Sequence, residues 1–269
     1  MVRSRTDEAL TRRFNGRLAG LAPDELIVEE PLTIHLDDNV VASTMRTPGH
    51  DFELAVGFLH AEAVLEPHWV TGIRYCGTGT AAESEFNVVS VETGGLAPAP
   101  AARLGSISSS CGVCGTEAID TLTERLDLLP ERQPWDLSLL VSLPERMRDQ
   151  QELFDATGAV HAAAAADRNG NLLVVREDIG RHNAVDKVTG RLLLDGKLPA
   201  TELALVVSGR ASFEMAQKAW AAGFTALVAV SAPSALAVAT ARRAGLTMVG
   251  FTRNGQATVY SPEGGVGAN

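Results

Sequence analysis

Cys111 and Cys114 form a C-x-x-C pair between Ser108-Ser109-Ser110 and Gly115, just ahead of a helix expected from about Thr116 to Leu128. Amide groups at a helix start stabilise an anion, so a thiolate placed there has a lowered pKa. That chemistry suits sulfur transfer or dithiol redox work. Position alone puts Cys114 closer to the helix start. Three readings stay open from the motif: a reactive thiol, half of a zinc site that Cys76 and one histidine would have to complete, or two idle thiols in a glycine-rich loop. A thioredoxin-like reading fits poorly, because about 100 residues precede the pair rather than one strand.

A second concentration of chemistry runs from Asp178 through Arg181, His182 and Asn183 to Asp186 and Lys187. It sits where a strand over Asn171–Arg176 is expected to meet a helix over Arg181–Leu194. Val185, Val188 and Leu192 mark that helix's buried stripe, which leaves Asn183 and Lys187 almost opposite it. Charge alone favours a solvated face laced with ion pairs. Position favours a ligand, since open α/β sheets bind at the C-terminal ends of their strands. Ser208-Gly209-Arg210 and Ser231-Ala232-Pro233 follow the next two expected strands. Three such junctions point to a crevice for a phosphate-bearing molecule.

The third candidate is the turn Arg253-Asn254-Gly255 with its flanks Phe251 and Gln256. Asn254 and Gln256 can donate to and accept from a base edge. Arg253 can stack on a ring or pair with a phosphate. Phe251 offers an apolar wall, and Gly255 allows close approach. A plain hairpin competes, because Asn-Gly is the strongest short hairpin signal.

Other patterns carry less. Gly77-Thr78-Gly79 imitates a dinucleotide fingerprint but leads into a β-like run. No P-loop or G-x-S-x-G elbow occurs. His161-Ala162-Ala163 stands where a zinc deaminase would show H-x-E, and the missing glutamate and downstream cysteines exclude that chemistry. His35, His50, His60 and His68 are scattered and read as structural or solvated.

The elements that must hold these residues fall into two styles. Residues 1–24 are polar, Arg-rich and read as a loose arm. Strand-like Leu32–Leu36 and Val40–Ala42 flank the turn Asp37-Asp38-Asn39, and a helix follows that Asp51 could cap. Gly72–Tyr75 and Phe86–Val91 read as strands, and Pro130, Pro134 and Pro144 mark a soft boundary between 130 and 150. Beyond it, strands and helices alternate through Leu203–Val207, Gly223, Ala226–Val230, Gly245, Leu246–Phe251 and Thr258–Tyr260. This predicts a three-layer α/β unit with a largely parallel sheet and a mixed edge. The expected division is an arm (1–24), an N-terminal α+β part with the cysteine loop (25–140) and an α/β part (141–269).

Composition narrows the classes. The chain has 269 residues, is 45% hydrophobic and carries a net charge of −10. That is enough apolar material for a real core, and the acidic balance argues against gripping a nucleic acid polymer. No run of about 18 apolar residues suggests a membrane span. The start has no apolar stretch of the signal-peptide kind, and three cysteines are too few for a disulfide scaffold. A cytoplasmic protein is the expectation.

Taken together, Ser109-Ser110-Cys111 through Cys114-Gly115, Gly158–Ala163, Asp178–Lys187, Ser208–Ser212, Ser231–Ala237 and Gly245–Phe251 resemble the FdhD family of formate dehydrogenase accessory sulfurtransferases. Thr47-Pro48 and Glu53–Leu59 resemble that family's first helix. The resemblance implies a cytidine-deaminase-like α/β domain with a smaller N-terminal part, often dimeric. It implies a carrier that takes sulfur from a cysteine desulfurase as a cysteine persulfide. The sulfur would pass to the molybdenum (or tungsten) bis(molybdopterin guanine dinucleotide) cofactor destined for formate dehydrogenase. Cys111 would carry the persulfide with Cys114 as partner, as the first thiol of such pairs is commonly the exposed one. The cofactor would meet Phe251-Thr252-Arg253-Asn254-Gly255-Gln256, along with Asp178, Arg181, His182, Asn183, Lys187, Ser208 and Arg210. GDP would serve as a partial mimic, and no metal site is implied. The competing classes are a chaperone that shelters the cofactor without moving sulfur, and a zinc-bound interaction module.

Overall fold

A helix that is apolar around its circumference must be covered on every side. The segment Asp51–Ala61 (α1) is such a helix, with Leu54, Ala55, Val56 and Leu59 fully buried. In the computed structural model, which describes residues 3–75, 80–81, 84–98, 106–107 and 126–262, it lies between the two halves of the chain. One of its faces packs on a five-stranded sheet. That sheet runs in the order Gly72–Tyr75 (β5), Val88–Glu92 (β6), Glu30–Leu36 (β3), Asn39–Arg46 (β4) and Ser106–Ile107 (β7). Leu32, Ile34 and Leu36 alternate inward from β3 to meet it, as a half-buried strand requires.

The other face of α1 lies on the helix Arg181–Leu194 (α4). The two backbones touch through glycines. A Cβ on Gly57 would sit 1.9 Å from the Asp186 carbonyl oxygen, and one on Gly190 would sit 1.8 Å from that of Glu53. No side chain fits at either position.

Beneath α4 lies a six-stranded sheet in the order β13-β12-β11-β10-β8-β9: Gln256–Ser261, Thr247–Arg253, Ala226–Ala229, Ala204–Val207, His161–Ala166 and Leu172–Asp178. Helices α4, Phe213–Ala221 (α5) and Ala235–Ala244 (α6) cover one side, and Leu137–Arg148 (α2) covers the other. This is the mixed α/β arrangement expected. Its parallel pairing is confined to β10-β11-β12, and β8 pairs antiparallel with both β9 and β10. The parallel share is therefore smaller than expected. The difference arises at β8, a run of His161 and five alanines. Alanine favours helix, but here the strand is buried among neighbours on both faces and small side chains let α2 and α4 approach.

Two further expectations are corrected. The stretch 1–24, read as a loose arm, instead holds most of an antiparallel hairpin formed by Thr6–Thr11 (β1) and Ala22–Ile27 (β2). Its strands are mostly exposed and lack apolar alternation, so backbone pairing holds it without a pattern in the side chains. Asp51 does not cap α1. His50 occupies the cap position at φ 58 without a side-chain bond, and Asp51 takes two hydrogen bonds from the buried Arg46, at 3.1 and 3.0 Å. The soft boundary between 130 and 150 is occupied by α2, which packs with Trp135 on the six-stranded sheet. Cys76, Cys111, Cys114 and residues 116–125 of the expected helix lie outside the described residues, while Leu126 to Leu128 run as irregular chain.

Candidate functional site

Asp178 ends β9 and Gly180 opens α4. Around this junction the polar residues saturate one another. The Lys187 ammonium pairs with Asp178 Oδ2 at 2.7 Å and donates to the Thr47 carbonyl at 2.9 Å. Asp178 also accepts from the amides of Thr47 (3.2 Å) and Gly180 (2.8 Å), and from Asn183 Nδ2 (2.9 Å). Asn183 Nδ2 donates in addition to the Met45 carbonyl at 2.8 Å. Asp178 and Lys187 are both 0% exposed. The face of α4 expected to be solvated or turned to a ligand is thus buried against the β4–α1 connection, and it fastens the two halves of the chain. Removing two charges from water demands this completeness of partners. Burial pushes the Lys187 ammonium down, against the pull of Asp178.

A second buried pair lies one turn along. Lys218 of α5 donates to Asp186 at 2.7 Å and stands 5.6 Å from the centre of the Phe58 ring. Burial raises the Asp186 carboxyl, with Lys218 opposing. Nearer the strand ends, His182 stands 4.0 Å from Glu214 and holds that carboxyl down at about 2. Arg181 has a buried Nε without a hydrogen-bond partner. His161 opens β8 close by. Its imidazole is pushed down by burial first and then by the neighbouring Arg181 and His182.

Ser208, Thr252, Arg253 and Asn254 come together with His161 on one cleft of about 710 Å³. It lies at the C-terminal ends of β10 and β12, where the sheet topology favours ligands. Ser208 Oγ accepts from the Ala162 amide at 2.9 Å, which ties the two strand ends together. Thr252 is turned inward by an irregular register between Gly250 and Arg253, with Phe251 on the outside at φ 53 and 54% exposed. A non-glycine residue held there stores strain of roughly 1–3 kcal/mol. Thr252 itself is 2% exposed, and its hydroxyl has no hydrogen-bond partner. The residue lines the cleft wall.

The hairpin and ligand readings of the C-terminal turn are compatible. Asn254 and Gly255 adopt φ 53 and 72, the left-handed pair of a tight hairpin, with Arg253 facing Gln256 across it. Arg253 and Asn254 line the cleft from that turn. Phe251, Gly255, Gln256 and Arg210 are exposed and are not part of this lining. Part of the lining had no motif to announce it: Glu145 and Arg148 at the end of α2, and Gln151 and Phe154 around the short helix Glu152–Thr157 (α3). Two arginines against one glutamate line the cleft of a chain whose net charge is −10. Among the described residues, no cluster of three or more His, Cys, Asp or Glu could hold a metal ion, and no helix is long and apolar enough to cross a membrane.

Comparison with known proteins agrees with this architecture. A crystal structure from Desulfotalea psychrophila, described as a formate dehydrogenase accessory protein, superposes with a TM-score of 0.76 over 97% of this chain and 99% of that one. At 24% identity it speaks for the fold alone. The sulfur carrier protein FdhD of Streptomyces avermitilis is 48% identical over 271 residues, covering 96% of this chain and 94% of that protein. Its namesake in Mycobacterium tuberculosis is 43% identical over 249 residues, covering 89% and 90%. The FdhD/NarQ family model matches residues 27–266. With that match and those identities, the chain belongs to the FdhD/NarQ family.

Proposed function

We propose that this protein is a sulfur carrier for formate dehydrogenase maturation, taking sulfur from a cysteine desulfurase and passing it to the bis(molybdopterin guanine dinucleotide) cofactor held in the cleft. The relatives' shared name supports sulfur carriage. The observation that carries the cofactor half is the convergence of Ser208, Thr252, Arg253 and Asn254 with His161 on one cleft, from strands far apart in sequence. In the transfer, the Cys111 thiolate attacks the outer sulfur of the donor's persulfide. The new S–S bond leaves a persulfide on Cys111 and returns the donor cysteine as its thiolate, with no net redox change. Cys114 is the partner thiol. The protein acts in the cytoplasm as a homodimer, with no part in nucleic acid binding.

For the cofactor, this chain supplies recognition. Asn254 reads a guanine edge and Arg253 meets a phosphate or ring, with Thr252 in the wall between the strand ends. His161, half-buried and with its imidazole pushed down by burial, lines the same space. Calorimetry with GDP and ADP tests the reading. GDP binds, ADP binds at least about tenfold more weakly, and Asn254→Ala loses about tenfold in GDP affinity, or ~1.4 kcal/mol. Equal affinity for the two nucleotides, or none for either, contradicts it.

A further inference from the structure

The cleft contains one basic group whose position no sequence motif foretold. Arg148 closes the last turn of α2, and its guanidinium lies over the Phe154 ring, 4.7 Å from the centroid. It is ion-paired with Asp155, both side chains being open to solvent at 46% and 62%. An exposed pair of this kind contributes little to stability and is easily exchanged for a better partner. The backbone that carries the ring is anchored, while the Phe154 ring itself is partly open to solvent. The buried carboxylate of Glu177 accepts from the amides of Leu153 and Phe154, each at 2.9 Å, and so fixes the first turn of α3 from behind. The result is an anchored helix start whose ring carries a planar, permanently charged fork with a weak present partner.

We propose that Arg148 is the phosphate-binding arm of the cleft, leaving Asp155 to pair in a bidentate manner with the diphosphate of a nucleotide whose base lies toward Asn254. This rests on the reading of the cleft as a nucleotide site. Three observations favour it. Arg148 and Arg253 reach the same cleft from α2 and from β12, which suits a group carrying two or more negative charges. Stacking on Phe154 restricts the guanidinium, so less freedom is lost when the fork is engaged. Asp155 neutralises the arm until an anion arrives, so the empty cleft presents no unpaired charge from this residue.

The test compares GDP with guanosine in the full-length protein, by calorimetry, for the wild type, Arg148→Ala and Asp155→Asn. The exposure of both side chains predicts that the variants fold normally, which thermal melting checks. The expected result is that Arg148→Ala weakens GDP about tenfold or more and guanosine less than about twofold. Asp155→Asn, lacking the competing carboxylate, binds GDP severalfold more tightly and guanosine as before. Equal losses for GDP and guanosine in Arg148→Ala, or unchanged GDP affinity, overturn the proposal while leaving the nucleotide site standing. Weaker GDP binding in Asp155→Asn also overturns it, because the pair would then be a structural unit. A wild type that binds neither ligand removes the nucleotide site itself, and the arm with it.

Discussion

Lys187 donates to two oxygens and meets no solvent, so its charge belongs to the joint between the two halves of the chain. Truncating one member of a buried pair leaves the other charged and unpartnered, which typically costs about 3–5 kcal/mol. Lys187→Met is therefore expected to destabilise by that amount in urea unfolding, and Asp178→Asn in the same chain should recover part of the loss. A change within about 0.5 kcal/mol would return Lys187 to the surface role its charge first suggested. Glu53 makes a related prediction that pH can read. Burial alone would raise its carboxyl, but Arg176 donates to both its oxygens, at 2.6 and 2.8 Å, and with His50 nearby holds it down at about 2. A folded-state pKa below the unfolded 4.5 adds stability that is complete above pH 4.5 and is lost as pH falls toward 2. The contribution is at most roughly 3 kcal/mol. Glu53→Gln should lower stability at pH 7 and flatten its decline over that acid window. An unchanged acid profile would mean that Arg176 finds no net benefit in Glu53.

At the scale of elements, the contact of α1 with α4 sets the geometry of everything above it. Alanine is the better helix former by about 1 kcal/mol, so on an exposed helix Gly57→Ala would stabilise. Here its methyl would meet the Asp186 carbonyl at 1.9 Å, and the helices must part. We expect a net loss of about 1–3 kcal/mol in thermal unfolding, with the Lys187–Asp178 and Lys218–Asp186 pairs loosened as the crossing opens. A higher melting temperature would contradict the close crossing. The same elements show what a sequence can reveal. The expected bounds of α4, Arg181 to Leu194, are those found, because three apolar residues at helical spacing outweigh the polar ones between them. The fate of its polar face was hidden, since nothing local says that a second apolar helix will lie across it. β8 was hidden for the opposite reason: five alanines carry neither strand periodicity nor β-propensity, and only their burial makes a strand of them. The hairpin of β1 and β2 left no apolar pattern to read.

For the whole molecule, the layers are a five-stranded sheet, α1, the α4–α6 layer, a six-stranded sheet and α2. The cleft opens where the six-stranded sheet's strand ends meet α2 and α3. One side of that cleft was legible in Ser208 and the Thr252–Asn254 turn, because turn chemistry and strand ends announce themselves locally. The other side, Arg148 and Phe154, is made by helices whose residues look ordinary until the fold brings them to the strand ends. The cysteine loop was the first chemistry visible in the chain, and the claim that it carries sulfur is central. Mass spectrometry of the intact protein after incubation with a cysteine desulfurase and cysteine tests that claim most directly. A reducible adduct of one sulfur atom, about 32 Da, is expected on the wild type and on Cys114→Ala but not on Cys111→Ala. No adduct on the wild type, or an adduct that persists in Cys111→Ala and vanishes in Cys114→Ala, would contradict it.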